Sequence, residues 1–171
     1  MSGRLIVLIK KILFSAAVVL WMMVIFAFSA QPAGVSTDMS HGVGYFIGDC
    51  FAAGFDEWSE EEQDAFSDRI DFPVRKCAHA SEYAILAVLL LLAVRSYGFT
   101  GGRGAVISFA VTAAYAASDE FHQLFVPGRS GMFTDVLVDA AGGLAGCILF
   151  FGICRILKIN TEGGNNDKTG F

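Results

Sequence analysis

The stretch ILFSAAVVLWMMVIFAFSA, residues 12–30, decides the class of fold to which this chain belongs. It is a run of nineteen uncharged residues, and Arg4, Lys10 and Lys11 precede it. A helix of this length covers about 28 Å at 1.5 Å per residue, which is enough to cross the hydrocarbon core of a bilayer. A cleaved signal peptide is the rival interpretation, but its apolar segment would be only about 7–15 residues long. We therefore expect a retained membrane helix here.

The composition of the whole chain agrees with a membrane protein. Of the 171 residues, 54% are hydrophobic and 16 are phenylalanine. A soluble domain of this size would need more polar surface than that content allows, whereas the lipid-facing belt of a membrane protein needs none. The formal net charge is -5, and the sequence has no basic patch with interleaved aromatic residues. We therefore expect membrane lipids as partners and no nucleic acid.

Three further apolar segments predict three more membrane helices. They are 76–97, which contains AILAVLLLLAV, 105–124, which contains AVISFAVTAAYAAS, and 133–156, which contains VLVDAAGGLAGCILFFGI. Each reaches the roughly 20 residues of a span only if its polar end is included. The small residues of DAAGGLAG should let another helix approach closely. With 12–30, these segments predict an all-α bundle of four transmembrane helices.

The distribution of charge predicts how the bundle is oriented. Lysine and arginine occur before the first span, in the short loop near 98–104 and after the last span, while the loop 31–75 holds ten acidic residues. With four spans, the basic segments lie on one side, which the positive-inside rule identifies as the cytoplasm. We expect a multi-pass protein of the plasma membrane with both termini cytoplasmic. It should form a single domain over residues 1–158, followed by a disordered cytoplasmic tail over 159–171.

The loop between the first two spans gives no sign of a second domain. Its segment HGVGYFIGDCFAAGF, residues 41–55, is apolar but too short to span, so we expect a short interfacial or re-entrant helix. Ser59 and Glu62 have the spacing of a capping box, which predicts a short acidic helix that Pro73 separates from the next span. Cys50 and Cys77 would face the oxidising side, where a disulfide could join them if they lie close together.

Polar side chains from three spans and one turn are predicted to converge at the outer side of the membrane. Successive spans alternate in direction, so the second begins, the third ends and the fourth begins at that side. The turn VPGRSGM lies between the last two. The groups brought together in this way are Lys76, His79, Glu82, Tyr83, Asp119, Glu120, His122, Gln123, Arg129, Asp135 and Asp139. Because such groups are costly in hydrocarbon, they predict a polar pocket that opens outward.

The same segments resemble a known family. WMMVIFAFSAQ, RKCAHASEYAIL and AASDEFHQLFVPGRSGMFTDVLVDAAGGLAG are similar to segments of the VanZ-like family of small bacterial membrane proteins, over about residues 14–150. One departure is Asp139, where the family often has Asn. The resemblance implies a role at the cell envelope, because the name-giving member is associated with low-level resistance to the glycopeptide teicoplanin. It implies no settled reaction, and it identifies no cofactor.

Recognition or modification of an anionic envelope molecule is the function that the pocket residues favour. An arginine fork matches phosphate or carboxylate oxygens, and histidine can move protons near neutral pH. A phosphate-bearing lipid or glycan would suit both. The binding candidates are Lys76, Tyr83, Gln123, Arg129, Asp135 and Asp139, and the catalytic candidates are His79, Asp119, Glu120 and His122. The sequence does not separate binding from catalysis.

Two alternatives remain open. A metal could bind the two imidazole and carboxylate pairs, His79 with Glu82 and Asp119 with His122, although nearby cations oppose this. The charged groups could also serve only to lock the helices together. In either case we expect the deep carboxylates of Glu82 and Asp119 to be paired with a histidine, Lys76 or Arg129. Arg129 itself is expected to face the ligand rather than the scaffold.

Overall fold

The computed structural model describes residues 3–157, and five α-helices account for most of them. A short 3-10 turn, Phe55–Glu57, joins the second helix to the third. The helices are α1 (Gly3–Ser29), α2 (Ala33–Phe51), α3 (Glu60–Ser96), α4 (Gly101–Gln123) and α5 (Phe133–Ile156). No strand occurs within the described residues. The all-α prediction is confirmed, whereas the tail predicted at 159–171 lies outside the described range.

Three of these helices, α1, α3 and α5, are long and apolar enough to cross a membrane. The bounds of α5 coincide with the predicted span at 133–156. Large apolar side chains on α1 and α5 are exposed, for example Leu13 at 60% and Ile148 at 63%, as expected of surfaces that face lipid. In contrast, α4 is rich in glycine, alanine and serine and ends in charged residues, so its sequence is less apolar.

The central element is α3, which packs against each of the other four helices. Trp21 of α1 donates a hydrogen bond to the backbone carbonyl of Glu82 at 2.9 Å. The Ser15 hydroxyl, which lies earlier in α1, is 3.3 Å from the Tyr97 hydroxyl just beyond α3. As residue numbers increase along α1, the numbers of the contacting residues in α3 decrease, so the two helices are antiparallel. Their shared core includes the fully buried side chains of Ile25, Tyr83 and Leu86.

Glycine residues bring α5 into backbone contact with α3. A Cβ atom on Gly142 would lie 2.2 Å from the Ala80 carbonyl oxygen, and one on Gly146 would lie 2.4 Å from the Ala84 carbonyl oxygen. The close approach predicted for DAAGGLAG is therefore confirmed. Residue numbers increase in the same direction along both helices at this contact, so α3 and α5 run parallel. The neighbouring Gly143 makes room for Thr112 of α4.

The length of α3 corrects the prediction that Pro73 ends an acidic helix. The helix runs unbroken through Pro73, although proline removes one backbone hydrogen bond. The ion pair between Arg75 and Asp71 spans the proline within α3. Ser40 of α2 donates a hydrogen bond to the same Asp71 carboxylate. The Asp71–Arg75 pair is an i, i+4 contact within the helix, whereas the Ser40 contact joins segments that are distant in the sequence.

The helix expected within 41–55 exists, but it begins earlier, at Ala33, and ends at Phe51. It lies antiparallel to the first half of α3, with small residues on the buried face: Ser40, Gly44 and Gly48. The opposite face exposes large apolar side chains: Val35, Met39, Val43 and Phe46. We call this exposed set the α2 apolar stripe.

The start of α3 follows the predicted capping box. The Ser59 hydroxyl accepts a hydrogen bond from the Glu62 backbone N–H at 3.3 Å, and the Glu62 carboxylate accepts one from the Ser59 backbone N–H at 2.9 Å. This reciprocal pair satisfies two backbone donors at the helix end. Cys50 and Cys77 are both exposed free thiols, so the disulfide that could have joined them is not formed.

The backbone contact between α3 and α5 leads to a first prediction. Gly142→Ala should lower the free energy of unfolding by about 1–3 kcal/mol, because the added methyl group meets backbone that cannot rotate away. The matched control is Gly152→Ala in the same helix, where a Cβ atom meets nothing within 4 Å. Thermal unfolding of both purified variants in one detergent measures the difference. Equal midpoints would contradict the close packing of α3 on α5.

Candidate functional site

At one end of the bundle α1 and α4 end and α5 begins; we call this the site end. The connection 124–132 folds over it and docks on the start of α2, where the Ala33 backbone N–H donates to the Pro127 carbonyl at 3.2 Å. Gly128 has a φ of 75°, and a Cβ atom there would lie 3.0 Å from that of Ala33. Both its conformation and its surroundings therefore favour glycine in this turn.

Arg129 joins this connection to the end of α1. Its Nε donates to the Gln31 carbonyl at 3.0 Å, and its Nη2 donates to the Phe28 carbonyl at 3.4 Å. Carbonyls at the C-terminal end of a helix carry partial negative charge and attract a cation. Arg129 thus contacts the scaffold, contrary to our expectation that it faces only a ligand. Arginine has five N–H donors, so these two bonds leave others for a ligand.

The charge of Arg129 is not neutralised by a contact ion pair. Among the residues that the structure describes, the hydrogen-bond partners of its side chain are backbone carbonyls, and no carboxylate lies within ion-pair distance. Burial lowers the pKa of the Arg129 guanidinium from its ordinary value, and the nearby Arg75 cation lowers it further. The carboxylates of Asp119, Glu120 and Glu82 act in the opposite direction and raise this pKa. Arg129 remains a partly buried cation.

Asp119 lies deep at the site end and is held by neutral donors. It is only 3% exposed. One of its oxygens accepts hydrogen bonds from the Ser29 hydroxyl at 2.5 Å and from the Gln123 amide at 3.3 Å. We expected a histidine, Lys76 or Arg129 as its partner, so the sequence correctly placed Asp119 but not its partners. The missing signal was Ser29, which looks like an ordinary small residue at the end of α1.

Glu120 holds the start of α5. Its carboxylate accepts hydrogen bonds from the Met132 backbone N–H at 3.0 Å and from the Gln123 amide at 3.3 Å. Met132 is the residue that precedes α5, and its N–H has no partner within that helix. Glu120, which the sequence suggested as a catalytic group, therefore has a positioning contact that accounts for its burial.

Tyr83 and Asp139 lie on the buried faces of α3 and α5. Tyr83 is 0% and Asp139 is 1% exposed. One Asp139 oxygen has no hydrogen-bond partner among the described residues. The Tyr83 ring packs near that of Tyr115, with 6.2 Å between centroids. Neither Tyr83 nor Asp139 lines the cavities described next, so both lie beneath the surface that a ligand in those cavities would touch.

A polar cavity of about 270 Å³ lies at the site end between α3, the connection 124–132 and the start of α5. Its polar lining consists of Arg75, Lys76, His79, Gln123, Arg129, Ser130 and Asp135. Within it, the Lys76 ammonium group forms an ion pair with the Asp135 carboxylate at 2.6 Å. Five of the residues that the sequence assigned to the site therefore meet in one cavity.

A second, mainly apolar cavity of about 240 Å³ adjoins the first, between the end of α1, α2 and α3. Its apolar lining includes Phe28, Met39, Val43, Val74 and Ala78. Three side chains line both cavities: Arg75, His79 and Arg129. The sequence did not indicate the apolar cavity or Arg75. The i, i+4 spacing of Met39 and Val43 was a signal for one of its walls.

The two histidines of the predicted site have different surroundings. His79 lines both cavities, and its Nδ1 lies 3.9 Å from the Glu82 carboxylate. His122 packs instead against the Phe26 ring, with 4.6 Å between centroids, and lines neither cavity. In the described part of the chain, no group of three or more His, Cys, Asp or Glu side chains is arranged to hold a metal ion. The metal alternative built on His79, Glu82, Asp119 and His122 therefore gains no support.

The fold and the site together define an all-helical membrane protein with a polar site at one end of its bundle. The VanZ/LLP1 family model matches residues 14–157, and the chain belongs to that family. The resemblance read from the sequence is confirmed. Comparisons with characterised proteins and with solved structures find no match.

The contact between Ser29 and Asp119 leads to a second prediction. Ser29→Ala should lower the free energy of unfolding by about 1.5–3 kcal/mol, because a buried carboxylate loses a hydrogen bond. Ser118→Ala is the control, since the Ser118 hydroxyl is exposed and bonds only to a backbone carbonyl of its own helix. Thermal unfolding in detergent measures both. Equal effects of the two substitutions would show that Asp119 does not depend on Ser29.

Proposed function

We propose that the chain is a four-span protein of the bacterial plasma membrane. Because α3 and α5 run parallel, two spans formed by them require the intervening chain to return across the bilayer. The only helix in that interval is α4, which would supply the return. Its small and polar residues support this role because they are buried against neighbouring helices rather than exposed to lipid: Gly104, Ser108, Thr112 and Ala116.

We also propose that the site end faces outward and that both termini are cytoplasmic. The basic residues that flank the helices support this orientation. They lie at the start of α1, the end of α3, the start of α4 and the end of α5, which is the end of the bundle opposite the site: Arg4, Lys10, Lys11, Arg95, Arg103 and Arg155. By the positive-inside rule, that end is cytoplasmic.

Cysteine labelling tests this topology as a third prediction. In a background without the native cysteines, a membrane-impermeant thiol reagent applied to intact cells should label Glu61→Cys and not Gly102→Cys. Both positions are exposed, and a Cβ atom at Gly102 meets nothing within 4 Å, so neither change disturbs packing. Permeabilised cells, in which both sites should react, provide the control. Labelling at position 102 alone in intact cells would reverse the proposed orientation.

The function that we propose is binding of an anionic envelope molecule, a phosphate-bearing lipid or glycan, in a way that lowers sensitivity to glycopeptides such as teicoplanin. The observation that carries this proposal is the Arg129 cation, which lines both cavities without a contact ion pair. A buried charge is costly unless it is paired, and a phosphate would provide the missing partner. The link to glycopeptides rests on the family to which the chain belongs.

The contacts of the remaining charges support a division between scaffold and ligand groups. One oxygen of Asp119 and the carboxylate of Glu120 accept hydrogen bonds from donors of the protein itself, and Lys76 is paired with Asp135. These groups would lock the helices, as the structural alternative requires. Arg129 and His79 would remain for the ligand.

An enzymatic form of the same proposal assigns proton transfer to His79. Its imidazole lines both cavities, with Nδ1 at 3.9 Å from the Glu82 carboxylate, and a histidine can accept and release a proton near neutral pH. Acyl or phosphoryl transfer with His79 as the general base would fit this arrangement. His122 is the less suitable base because it lines neither cavity.

A fourth prediction tests the function in cells. Expressed in a teicoplanin-sensitive bacterium, the wild-type protein should raise the inhibitory concentration of teicoplanin, and Arg129→Lys and His79→Gln should return it toward that of the empty vector. Arg129→Lys keeps the charge but loses the planar fork, which should weaken phosphate binding about tenfold or more. Immunoblots of membranes verify that the variants accumulate normally.

Two substitutions serve as matched controls for this test. Arg103→Lys makes the same change at an exposed residue of the opposite end, and His122→Gln replaces the histidine that lines neither cavity. Both should retain resistance. A fully active Arg129→Lys protein would show that the planar fork of Arg129 does not bind the ligand. Equal loss of teicoplanin resistance in all four variants would favour the alternative in which the charges only lock the helices together.

A further inference from the structure

The polar and apolar cavities share a boundary formed by Arg75, His79 and Arg129. Two of these side chains are permanent cations, and the third can become one. Arg75 is paired with Asp71 inside α3, whereas the hydrogen bonds of the Arg129 side chain within the described residues go to backbone carbonyls. Both arginines line both cavities, so their like charges lie near each other and repel, and the Arg75 cation accordingly contributes to lowering the pKa of Arg129. An anion at this boundary would relieve the repulsion.

The apolar cavity opens onto the α2 apolar stripe. Met39 and Val43 line the cavity, yet they are also 49% and 46% exposed. Their side chains therefore border the opening as well as the interior. An opening surrounded by exposed apolar side chains is suited to contact with hydrocarbon rather than with water. The cavity thus has an apolar mouth at one side and cations at the other.

The size of the apolar cavity suits part of a hydrocarbon chain. Its volume is about 240 Å³. An apolar cavity of about 150 Å³ in another protein is large enough to bind benzene. The present cavity can therefore hold several methylene groups beside the charged boundary. A ligand that consists only of a sugar or a free phosphate has no apolar part to place in this cavity.

We propose that the site takes a phosphate-bearing lipid, with the phosphate against Arg75, His79 and Arg129 and one hydrocarbon chain in the apolar cavity beneath α2. The polar cavity then receives the part of the headgroup beyond the phosphate. The inference rests on the proposed function and narrows it, because it selects a lipid over a free glycan. It also gives α2 a role, because this helix borders the opening through which the hydrocarbon chain of a membrane lipid enters from the bilayer.

Short alkyl phosphates test the contributions of the cationic boundary and of the apolar cavity to binding separately. The full chain, purified in a non-ionic detergent, is titrated by calorimetry with methyl phosphate, butyl phosphate and butanol. Each of the three additional methylene groups should strengthen binding about fourfold when it is buried, so butyl phosphate should bind up to roughly sixtyfold more tightly than methyl phosphate. Butanol, which lacks the anion, should bind more weakly than butyl phosphate.

Variants of the apolar wall test where the chain lies. Ala78→Trp fills the cavity and should bring the ratio of the butyl and methyl affinities toward one, as should Met39→Gln, which makes the wall polar without filling it. Both residues are exposed to the surface as well as to the cavity, so the fold should tolerate the changes. Ala114→Trp on the exposed face of α4, away from both cavities, is the matched control and should keep the wild-type ratio.

The results distinguish this inference from the proposed function. Equal binding of both phosphates, weakened alike by Arg129→Lys, would leave the anion site in place and overturn the chain-binding cavity. A high ratio that neither Ala78→Trp nor Met39→Gln lowers would also overturn it. Butanol that binds as tightly as butyl phosphate would overturn the role of the cations at the boundary. Failure of both phosphates to bind would contradict the proposed function as well.

Discussion

The backbone contact of Gly142 and Gly146 with Ala80 and Ala84 is the constraint on which the rest of the bundle depends. Side chains larger than hydrogen at the two glycines would overlap with backbone atoms of α3, so this contact fixes both the distance and the register of the pair. It also makes α3 and α5 parallel. The chain between them must therefore return along the bundle, and α4 does so. As a result the end of α4, the start of α5 and the Lys76–His79 segment of α3 come together at the site end.

The buried charges of the site end differ in how they are satisfied, and this difference separates scaffold from ligand groups. Asp119 accepts from Ser29 and Gln123, and Glu120 accepts from the start of α5. Removing either carboxylate would leave donors without partners, which makes these groups part of the folded structure. Arg129 contacts neutral backbone carbonyls, which do not cancel its positive charge and which use only two of its five N–H donors. The charge and the remaining donors are available to an anion. The family comparison alone, which assigns no roles to residues, could not draw this distinction.

Features that depend on local periodicity were predictable from the sequence, and features that depend on contacts between distant segments were not. The bounds of α5, the capping box at Ser59 and the close approach at DAAGGLAG all follow from neighbouring residues, and all three are confirmed. The continuity of α3 through Pro73 was not evident from its own sequence, and neither was the hydrogen bond that Ser40 of α2 donates to Asp71, 31 positions away. His122 lies three residues from Asp119, just as His79 lies three residues from Glu82. Only the packing of neighbouring helices shows that it faces Phe26 rather than a cavity.

The two faces of α2 explain why an apolar cavity can form beside so many charges. Small residues on one face bring the helix close to α3, while the longer Met39 and Val43 side chains extend past that contact toward the end of α1. The gap that they cover is apolar on the α2 side and cationic where Arg129 reaches the carbonyls of α1. If the site end lies at the membrane surface as proposed, the α2 apolar stripe contacts lipid and the cationic boundary lies at the level of the headgroups. An amphiphile then needs no aqueous route to the site, because its charged and apolar parts already lie at the depths where the two cavities meet.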